Sequence, residues 1–163
     1  MSGKHCRECG AELIERELEH EGIVPYCPEC GKFRFPQYNV AVSMIVVNES
    51  TGKILLINQY GKPYYMLVAG YVNRGESLED AVSREVREET GMTVVRKRFN
   101  KSGFYAGTGT LMCNFVAYVA DDSELDTNYE VDAYRWFTPE EARENIIMDI
   151  AKGFLEAYLD DLG

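Results

Sequence analysis

The sequence has no apolar stretch long enough to cross a membrane. Its apolar runs all fall short of the roughly 20 residues that a transmembrane helix needs, and its first residues contain no apolar signal-peptide segment. Basic residues are also scarce, because 17 Lys and Arg stand against 27 Asp and Glu and leave a formal net charge of −10. These absences argue against membrane association and against nonspecific binding to nucleic-acid phosphates. We therefore expect a cytoplasmic protein with neither kind of partner.

The remaining composition is that of a globular protein. Apolar residues make up 45% of the 163 positions and charged residues 27%, which is enough apolar content for a buried core. We expect one substantial domain at residues 37–163, preceded by a small domain at residues 1–36.

Four of the five cysteines form two Cys-x-x-Cys pairs near the N-terminus: Cys6 with Cys9, and Cys27 with Cys30. This spacing is typical of a zinc ribbon, in which four thiolates bind one structural Zn²⁺. A segment this short cannot bury a sufficient core, so zinc is expected to supply its folding energy. Disulfides are disfavoured in a chain without an export signal, and a redox Cys-x-x-Cys would not need a second pair.

The remaining cysteine and the two histidines are not expected to bind metal. Cys113 lies within a strand-like apolar run and is expected to be a buried, unreactive side chain. His5 and His20 are expected on the surface, since four cysteines already complete the zinc site.

Hydrophobic patterning after the cysteines predicts an α+β domain. Predicted strands cover residues 40–47, 53–58, 64–72, 93–100, 110–119 and 133–137. The first two are expected to form a hairpin. Predicted helices cover residues 77–90, a short segment that begins at Thr138, and residues 149–162.

The helix predicted at residues 77–90 has an acidic side. At roughly 100° per residue, Glu85, Glu88 and Glu89 fall within an arc of about 100°, away from the apolar residues of the same helix. Crowded like charges destabilise a helix, whereas Mg²⁺ binds carboxylate oxygens and bridges to phosphate oxygens. The alternative is a solvated helix in which Arg84 and Arg87 form ordinary surface ion pairs.

Residues 70–92 resemble the Nudix box, GX5EX7REUXEEXGU with U an aliphatic residue, at every specified position. The resemblance implies the Nudix fold, a mixed β-sheet between helices, and a hydrolase that cleaves a nucleoside diphosphate linked to another group. It also implies that Glu85, Glu88 and Glu89 bind catalytic Mg²⁺ or Mn²⁺. Glu76 and Arg84 are expected to support the helix and its preceding loop.

A second resemblance is to the NADH pyrophosphatase branch of this family. Its basis is a four-cysteine ribbon ahead of the box, the step Phe35-Pro-Gln37, and the segment Ala69-Gly-Tyr-Val72. This resemblance implies that the backbone carbonyl of Ala69 is a metal ligand, that Phe35 contacts the nucleotide, and that Glu130 is a further metal-binding acid. It also suggests a homodimer, and NAD-capped RNA as a possible substrate.

One segment departs from that branch. NADH pyrophosphatases carry Ser-Gln-Pro-Trp-Pro-Phe-Pro-x-Ser where this chain has Ser102-Gly-Phe-Tyr-Ala-Gly-Thr-Gly-Thr110, so all three prolines are absent. We expect a glycine-rich loop at residues 103–110 that loses entropy on closing over a ligand. Ser102, Phe104 and Tyr105 are the candidate substrate-binding residues, since the two rings can stack on a base.

These observations predict a metal-dependent pyrophosphohydrolase acting on a small-molecule nucleotide of the NADH or NAD type. Glu85, Glu88, Glu89 and Glu130 are the candidate catalytic residues, with Glu88 or Glu130 as general base. One alternative is a pyrophosphatase for ADP-ribose or another nucleoside diphosphate-sugar. The other is a nucleotide-binding zinc-ribbon module without catalysis.

Overall fold

The computed structural model describes residues 4–163 and divides into two units, the second of which begins at Asn39. The first unit contains a three-stranded antiparallel sheet of β1 (Ile14–Leu18), β2 (Gly22–Cys27) and β3 (Lys32–Phe33). Among residues 4–38, the buried apolar side chains are those of Cys6, Val24 and Cys27. This unit, here called the ribbon unit, therefore has little apolar core.

The second unit, here called the sheet unit, is built on six strands. They are β4 (Asn39–Asn48), β5 (Ile54–Gln59), β6 (Val68–Tyr71), β7 (Val94–Tyr105), β8 (Thr110–Val119) and β9 (Val131–Phe137). The strand order is β7-β8-β4-β5-β9, and β6 also pairs with β4. The sheet is mixed, because β4 and β8 run parallel while every other pair is antiparallel.

Three helices complete the sheet unit: α1 (Leu78–Thr90), α2 (Pro139–Asn145) and α3 (Asp149–Asp160). The Ser77 side chain caps α1 by accepting a hydrogen bond from the Asp80 backbone N–H. Gly91 ends α1 in the left-handed region at φ 73°, which glycine adopts without steric cost. The Thr138 side chain and Glu141 form a reciprocal capping box at the start of α2.

The helices cover both faces of the sheet. Apolar residues of α1, including Val82 and Val86, pack with Val42, Met44 and other inward residues on one face. Phe154 and Leu155 of α3 pack against the opposite face, with Ile45 and Leu56. Successive residues of β4 thus serve the two cores alternately, as a strand requires. The fold is a mixed sheet between helices, and the predicted α+β class is confirmed.

Several sequence predictions can be compared with these bounds. The predicted strand at 110–119 coincides with β8, and the β4–β5 hairpin is present. The predicted strand at 64–72 was too long, because Tyr65 and Met66 form only isolated bridges before β6. The predicted loop at 103–110 was also wrong in part: β7 continues to Tyr105 through pairing with β8, and only the residues between the two strands form a turn.

The structure confirms the expected placement of Cys113, His5 and His20. Cys113 is buried, with 6% of its surface exposed, and burial raises the pKa of its thiol. His5 and His20 are both exposed. Within residues 4–163, no helix combines the length and apolar character that a membrane crossing requires.

Candidate functional site

The four N-terminal cysteines come together in the ribbon unit. All four sulfur atoms lie within 4.8 Å of one another, with 3.8 Å between the Sγ atoms of Cys6 and Cys30 and 3.5 Å between those of Cys9 and Cys27. These separations exceed a disulfide bond of about 2.05 Å and match the roughly 3.8 Å between neighbouring sulfurs of a tetrahedral zinc site. The donor set fits one zinc ion.

An arginine lies beside this cysteine cluster. Arg34 donates two hydrogen bonds to the Glu8 carboxylate, each of 2.9 Å, and its Nε is buried with no hydrogen-bond partner. The bonds to Glu8 and the neighbouring thiols of Cys30 and Cys6 raise the pKa of Arg34. Arg34 in turn favours the thiolate form of Cys30, although the neighbouring thiols and burial raise the pKa of Cys30 to about 12.

In the sheet unit, the candidate site begins where β6 meets α1. A Cβ atom built on Gly70 would overlap the carboxyl group of Glu85, so this position must be glycine for Glu85 to lie against β6. Ala69, whose carbonyl is a candidate ligand, is the preceding residue of the same strand and pairs with Ser43 of β4. The first residue of the box thus makes room for one of its acids.

Arg84 connects the acids of the box to the preceding loop. Its guanidinium donates to both Glu76 oxygens at 2.7 and 2.9 Å, to Glu85 Oε1 at 2.7 Å and to Glu88 Oε2 at 3.0 Å. It also donates to the Tyr71 carbonyl oxygen at 3.0 Å. Arg84 lowers the pKa of Glu76 to about 2. The predicted supporting role of Glu76 and Arg84 agrees with these contacts.

The acids of α1 differ sharply in burial. Glu89 is 4% exposed and Glu85 is 9% exposed, whereas the Glu88 side chain is 55% exposed. Glu89 Oε2 is buried with no hydrogen-bond partner. Burial, and next the charges of Glu85 and Glu130, raise the pKa of Glu89 to about 7. A buried and unpartnered carboxylate oxygen fits a hard cation, because a cation would offset the cost of its burial.

Glu130 reaches the same neighbourhood from the segment before β9. Its carboxylate accepts a hydrogen bond of 3.2 Å from the Tyr60 hydroxyl, and its charge acts on both Glu89 and Tyr60. Tyr60 follows Gln59, the last residue of β5, whose side chain lies next to Glu89 and lowers its pKa. Sequence reasoning missed both residues, since neither belongs to the box.

The four acids do not converge as closely as the cysteines do. Within residues 4–163, the cysteine cluster is the only group in which three or more His, Cys, Asp or Glu ligand atoms lie within 4.8 Å of one another. Arg84 draws Glu85 and Glu88 toward itself, and Tyr60 binds Glu130. The acids are therefore neighbours with separate hydrogen-bonding partners.

The strand register separates the candidate substrate residues of β7. Ser102 and Phe104 pair with Cys113 and Leu111, whose side chains belong to the core on the α1 face. Tyr105 pairs with Thr110 and lies on the other face, since side chains alternate along a strand. Phe104 is 54% exposed, and Phe35 of the ribbon unit has the same exposed fraction.

A family model for the NUDIX domain matches residues 37–158. The chain belongs to the Nudix family. The match includes the box on β6 and α1, the six strands of the sheet unit and nearly all of its three helices.

Two relatives of this chain are named NAD-capped RNA hydrolases. The chain is 31% identical to the NAD-capped RNA hydrolase NudC of Stutzerimonas stutzeri, in an alignment that covers 96% of this chain. It is 33% identical to the NAD-capped RNA hydrolase NudC of Vibrio vulnificus, in an alignment that covers 83% of this chain. These alignments cover 56% and 51% of the two relatives. The chain thus spans about half the length of the curated relatives it matches.

Solved structures share the fold. A NUDIX hydrolase from Nitrosomonas europaea superposes with a TM-score of 0.66 at 23% identity, covering 98% of this chain and 92% of its own. The NUDIX domain of Shewanella oneidensis NrtR, solved with ADP ribose, superposes with a TM-score of 0.67 at 16% identity. The superposition covers 85% of this chain and 94% of the NrtR chain. At these identities the likeness establishes the fold alone.

Proposed function

We propose that this chain is a divalent-metal-dependent pyrophosphohydrolase that cleaves the diphosphate of a nucleoside-diphosphate-linked substrate. The observation that carries the proposal is the crowding of acids around Glu89, which is buried with an unpartnered oxygen beside Glu85 and Glu130. Stability does not account for this arrangement, because a buried unpaired carboxylate is costly. A site that gathers divalent cations accounts for it.

The residues divide into ligands and supports. Glu85, Glu88, Glu89 and Glu130 would hold Mg²⁺ or Mn²⁺, together with the Ala69 carbonyl. The bound cations would offset charge on the diphosphate and activate a water molecule. Glu88 and Glu130 are the candidates for accepting its proton, since both are more exposed than Glu85 and Glu89. Arg84 fixes Glu85 and Glu88 through the hydrogen bonds described above.

The ribbon unit is proposed to bind one structural Zn²⁺ through Cys6, Cys9, Cys27 and Cys30. The sulfur separations and the adjacent Arg34 support this assignment. We assign residues 1–36 to this zinc ribbon and residues 37–163 to the hydrolase domain. A homodimer and a cytoplasmic location remain predictions from the sequence.

NAD-type dinucleotides are the proposed substrate class, and NAD-capped RNA is included because the relatives named above carry that activity in their names. Phe104 and Ser102 support a nucleotide subsite, since they share the sheet face covered by α1. A nucleotide contact by Phe35 remains a prediction from the sequence. Tyr105 is the weaker candidate on the sheet, because it lies on the other face.

ADP-ribose and other nucleoside diphosphate-sugars are the second candidate class. The observation that favours them is the segment from Ser102 to Thr110, which lacks the three prolines of the NADH pyrophosphatase pattern. A hairpin without those prolines constrains the group beyond the diphosphate less tightly.

The test is turnover of NADH, NAD⁺, ADP-ribose and NAD-capped RNA with Mg²⁺, with Mn²⁺ and with a chelator, followed by chromatography of the products. We expect metal-dependent release of mononucleotides from the dinucleotides. Binding of these compounds without turnover in either metal would instead identify a non-catalytic nucleotide-binding module.

A further inference from the structure

The end of β5 has an unusual backbone. The pairing between β5 and β9 shifts at Asn58 and Gln59, so the register contains an irregularity there. Tyr60, the next residue, has a φ of 55°, and Gly61 follows at 65°. A residue with a side chain rarely adopts this left-handed conformation, and such residues are common where function requires an exact side-chain position.

Three hydrogen bonds hold this turn. The Gly61 backbone N–H donates to Asp132 Oδ2 at 2.7 Å, and the Lys62 N–H donates to the Gln59 carbonyl at 3.1 Å. The Asn58 side-chain amide donates to the Tyr64 carbonyl at 2.7 Å. The left-handed conformation of Tyr60 is therefore fixed from both strands.

Because of this turn, the side chains of two consecutive residues lie beside two different acids. Gln59 follows the alternation of β5 and turns its buried side chain toward α1, next to Glu89. Regular alternation would send Tyr60 to the opposite face, but its hydroxyl donates to Glu130 Oε2 at 3.2 Å. The Tyr60 residue is 68% exposed, so packing does not explain an aromatic residue at this strained position.

Gln59 and Glu89 are complementary groups. Gln59 is 5% exposed, its Nε2 donor is buried without a hydrogen-bond partner, and the same is true of Glu89 Oε2. An unsatisfied buried amide is costly, so its placement beside a buried carboxylate requires a reason other than stability. Here the neighbour is the most buried acid of the site.

We propose that Gln59 and Tyr60 are positioning residues that hold Glu89 and Glu130 so that acids from α1 and from the segment before β9 face one diphosphate. This inference rests on the proposed function of the same acids. Neither residue is assigned a contact with the reacting atoms. Tyr60 acts by fixing the Glu130 carboxylate, and Gln59 acts through its position beside the Glu89 carboxylate.

The experiment compares Tyr60→Phe and Gln59→Met with the wild-type protein. Both substitutions remove a polar group and keep most of the side-chain volume. Mn²⁺ affinity is measured without substrate from the paramagnetic resonance of free Mn²⁺, and kcat and KM are measured with the best substrate of the panel. We expect each variant to weaken Mn²⁺ binding and to lower kcat about tenfold, with KM within about twofold, because groups that orient metal ligands have effects of this size.

Tyr134→Phe is the matched control, because Tyr134 is a half-exposed tyrosine of β9. It should leave Mn²⁺ affinity and kcat unchanged. A purely structural role for Gln59 would lower the thermal midpoint without changing Mn²⁺ affinity. If Gln59→Met does not fold, the exposed Tyr60→Phe substitution decides alone.

Two failures are distinguishable. If wild-type protein hydrolyses diphosphates but Tyr60→Phe and Gln59→Met both retain its kcat and Mn²⁺ affinity within twofold, the positioning inference is overturned. If wild-type protein hydrolyses none of the panel, the proposed function fails. The Mn²⁺ measurement then still decides whether the two residues organise the acids.

Discussion

The ribbon unit and the sheet unit differ in how much apolar core supports their candidate metal ligands. Among residues 4–38 of the ribbon unit, the buried apolar residues number three, and two of them are cysteines of the cluster. In the sheet unit, Glu85 and Glu89 are attached to a helix whose other side packs into a core of many apolar residues. The candidate ligands are therefore expected to be part of what folds the ribbon unit. In the sheet unit, the candidate ligands are attached to a domain that folds by apolar burial.

The largest expected effect is that of zinc removal on the ribbon unit. Structural zinc contributes on the order of 10 kcal/mol, which exceeds what the small core can replace. Stripping zinc with a chelator, or substituting Cys27→Ser, should abolish hydrogen-exchange protection in β1 and β2 and leave that of β4 and β8 intact. Hydrogen exchange followed by mass spectrometry measures both regions in one sample.

Cys113→Ala is the control for this experiment, since Cys113 lies in the core of the sheet unit. It should keep one zinc per chain by elemental analysis. Unchanged protection of β1 and β2 after complete loss of zinc would show that the ribbon unit folds without the metal.

The second prediction concerns a ligand of the sheet unit. Glu89→Gln should lower turnover by about a thousandfold or more, because it removes a carboxylate proposed to hold the catalytic cation. The thermal midpoint should not fall, since the neutral amide has nearly the same shape and removes a buried charge. Turnover in saturating Mg²⁺ and a thermal melt check the two halves of the prediction.

Glu79→Gln provides the comparison, because Glu79 is an exposed acid in the first turn of the same helix. It should behave as wild type in both measurements. If Glu89→Gln retains full turnover, the assignment of Glu89 is wrong. If it unfolds the sheet unit, the contrast with the ribbon unit is lost.

The smallest expected effect is a change in acid sensitivity. Hydrogen bonds from Arg84 lower the pKa of Glu76 from 4.5 to about 2. The carboxylate therefore contributes stability that is fully present above pH 4.5 and is lost as the pH falls toward 2. Glu76→Gln should lower the thermal midpoint near neutral pH and reduce its dependence on pH in this window.

Trp136 can report this effect for the sheet unit alone, because it is the single tryptophan of the chain and lies in β9. Its fluorescence during thermal melts at several pH values gives the required midpoints. Identical pH profiles for Glu76→Gln and wild type would show that the ion pair with Arg84 contributes no stability.

The sequence predicted the features that depend on local pattern. Helix α1 begins after its Ser77 cap and ends at Gly91 as expected, and the apolar run of β8 coincides with its predicted bounds. The family resemblance identified Glu85, Glu88, Glu89 and Glu130 as candidates, and the structure brings their charges together around Glu89.

The features that depend on tertiary pairing were missed. The extension of β7 to Tyr105 is fixed by β8, which follows it in the chain, so glycine content alone suggested a loop. Gln59 and Tyr60 have no motif, and their proximity to the acids follows from a register shift and a left-handed residue. The Gln-Tyr-Gly step at a strand end is the only local signal of that turn.

The close approach between Gly70 and Glu85 has a consequence for how this protein tolerates change. A methyl group at residue 70 would displace the Glu85 carboxyl group from its position against β6, so the size of residue 70 is limited by a side chain from the following helix. A mutation at residue 70 is thus, in effect, a mutation of Glu85, and a mutational scan should find the two positions equally intolerant for one shared reason.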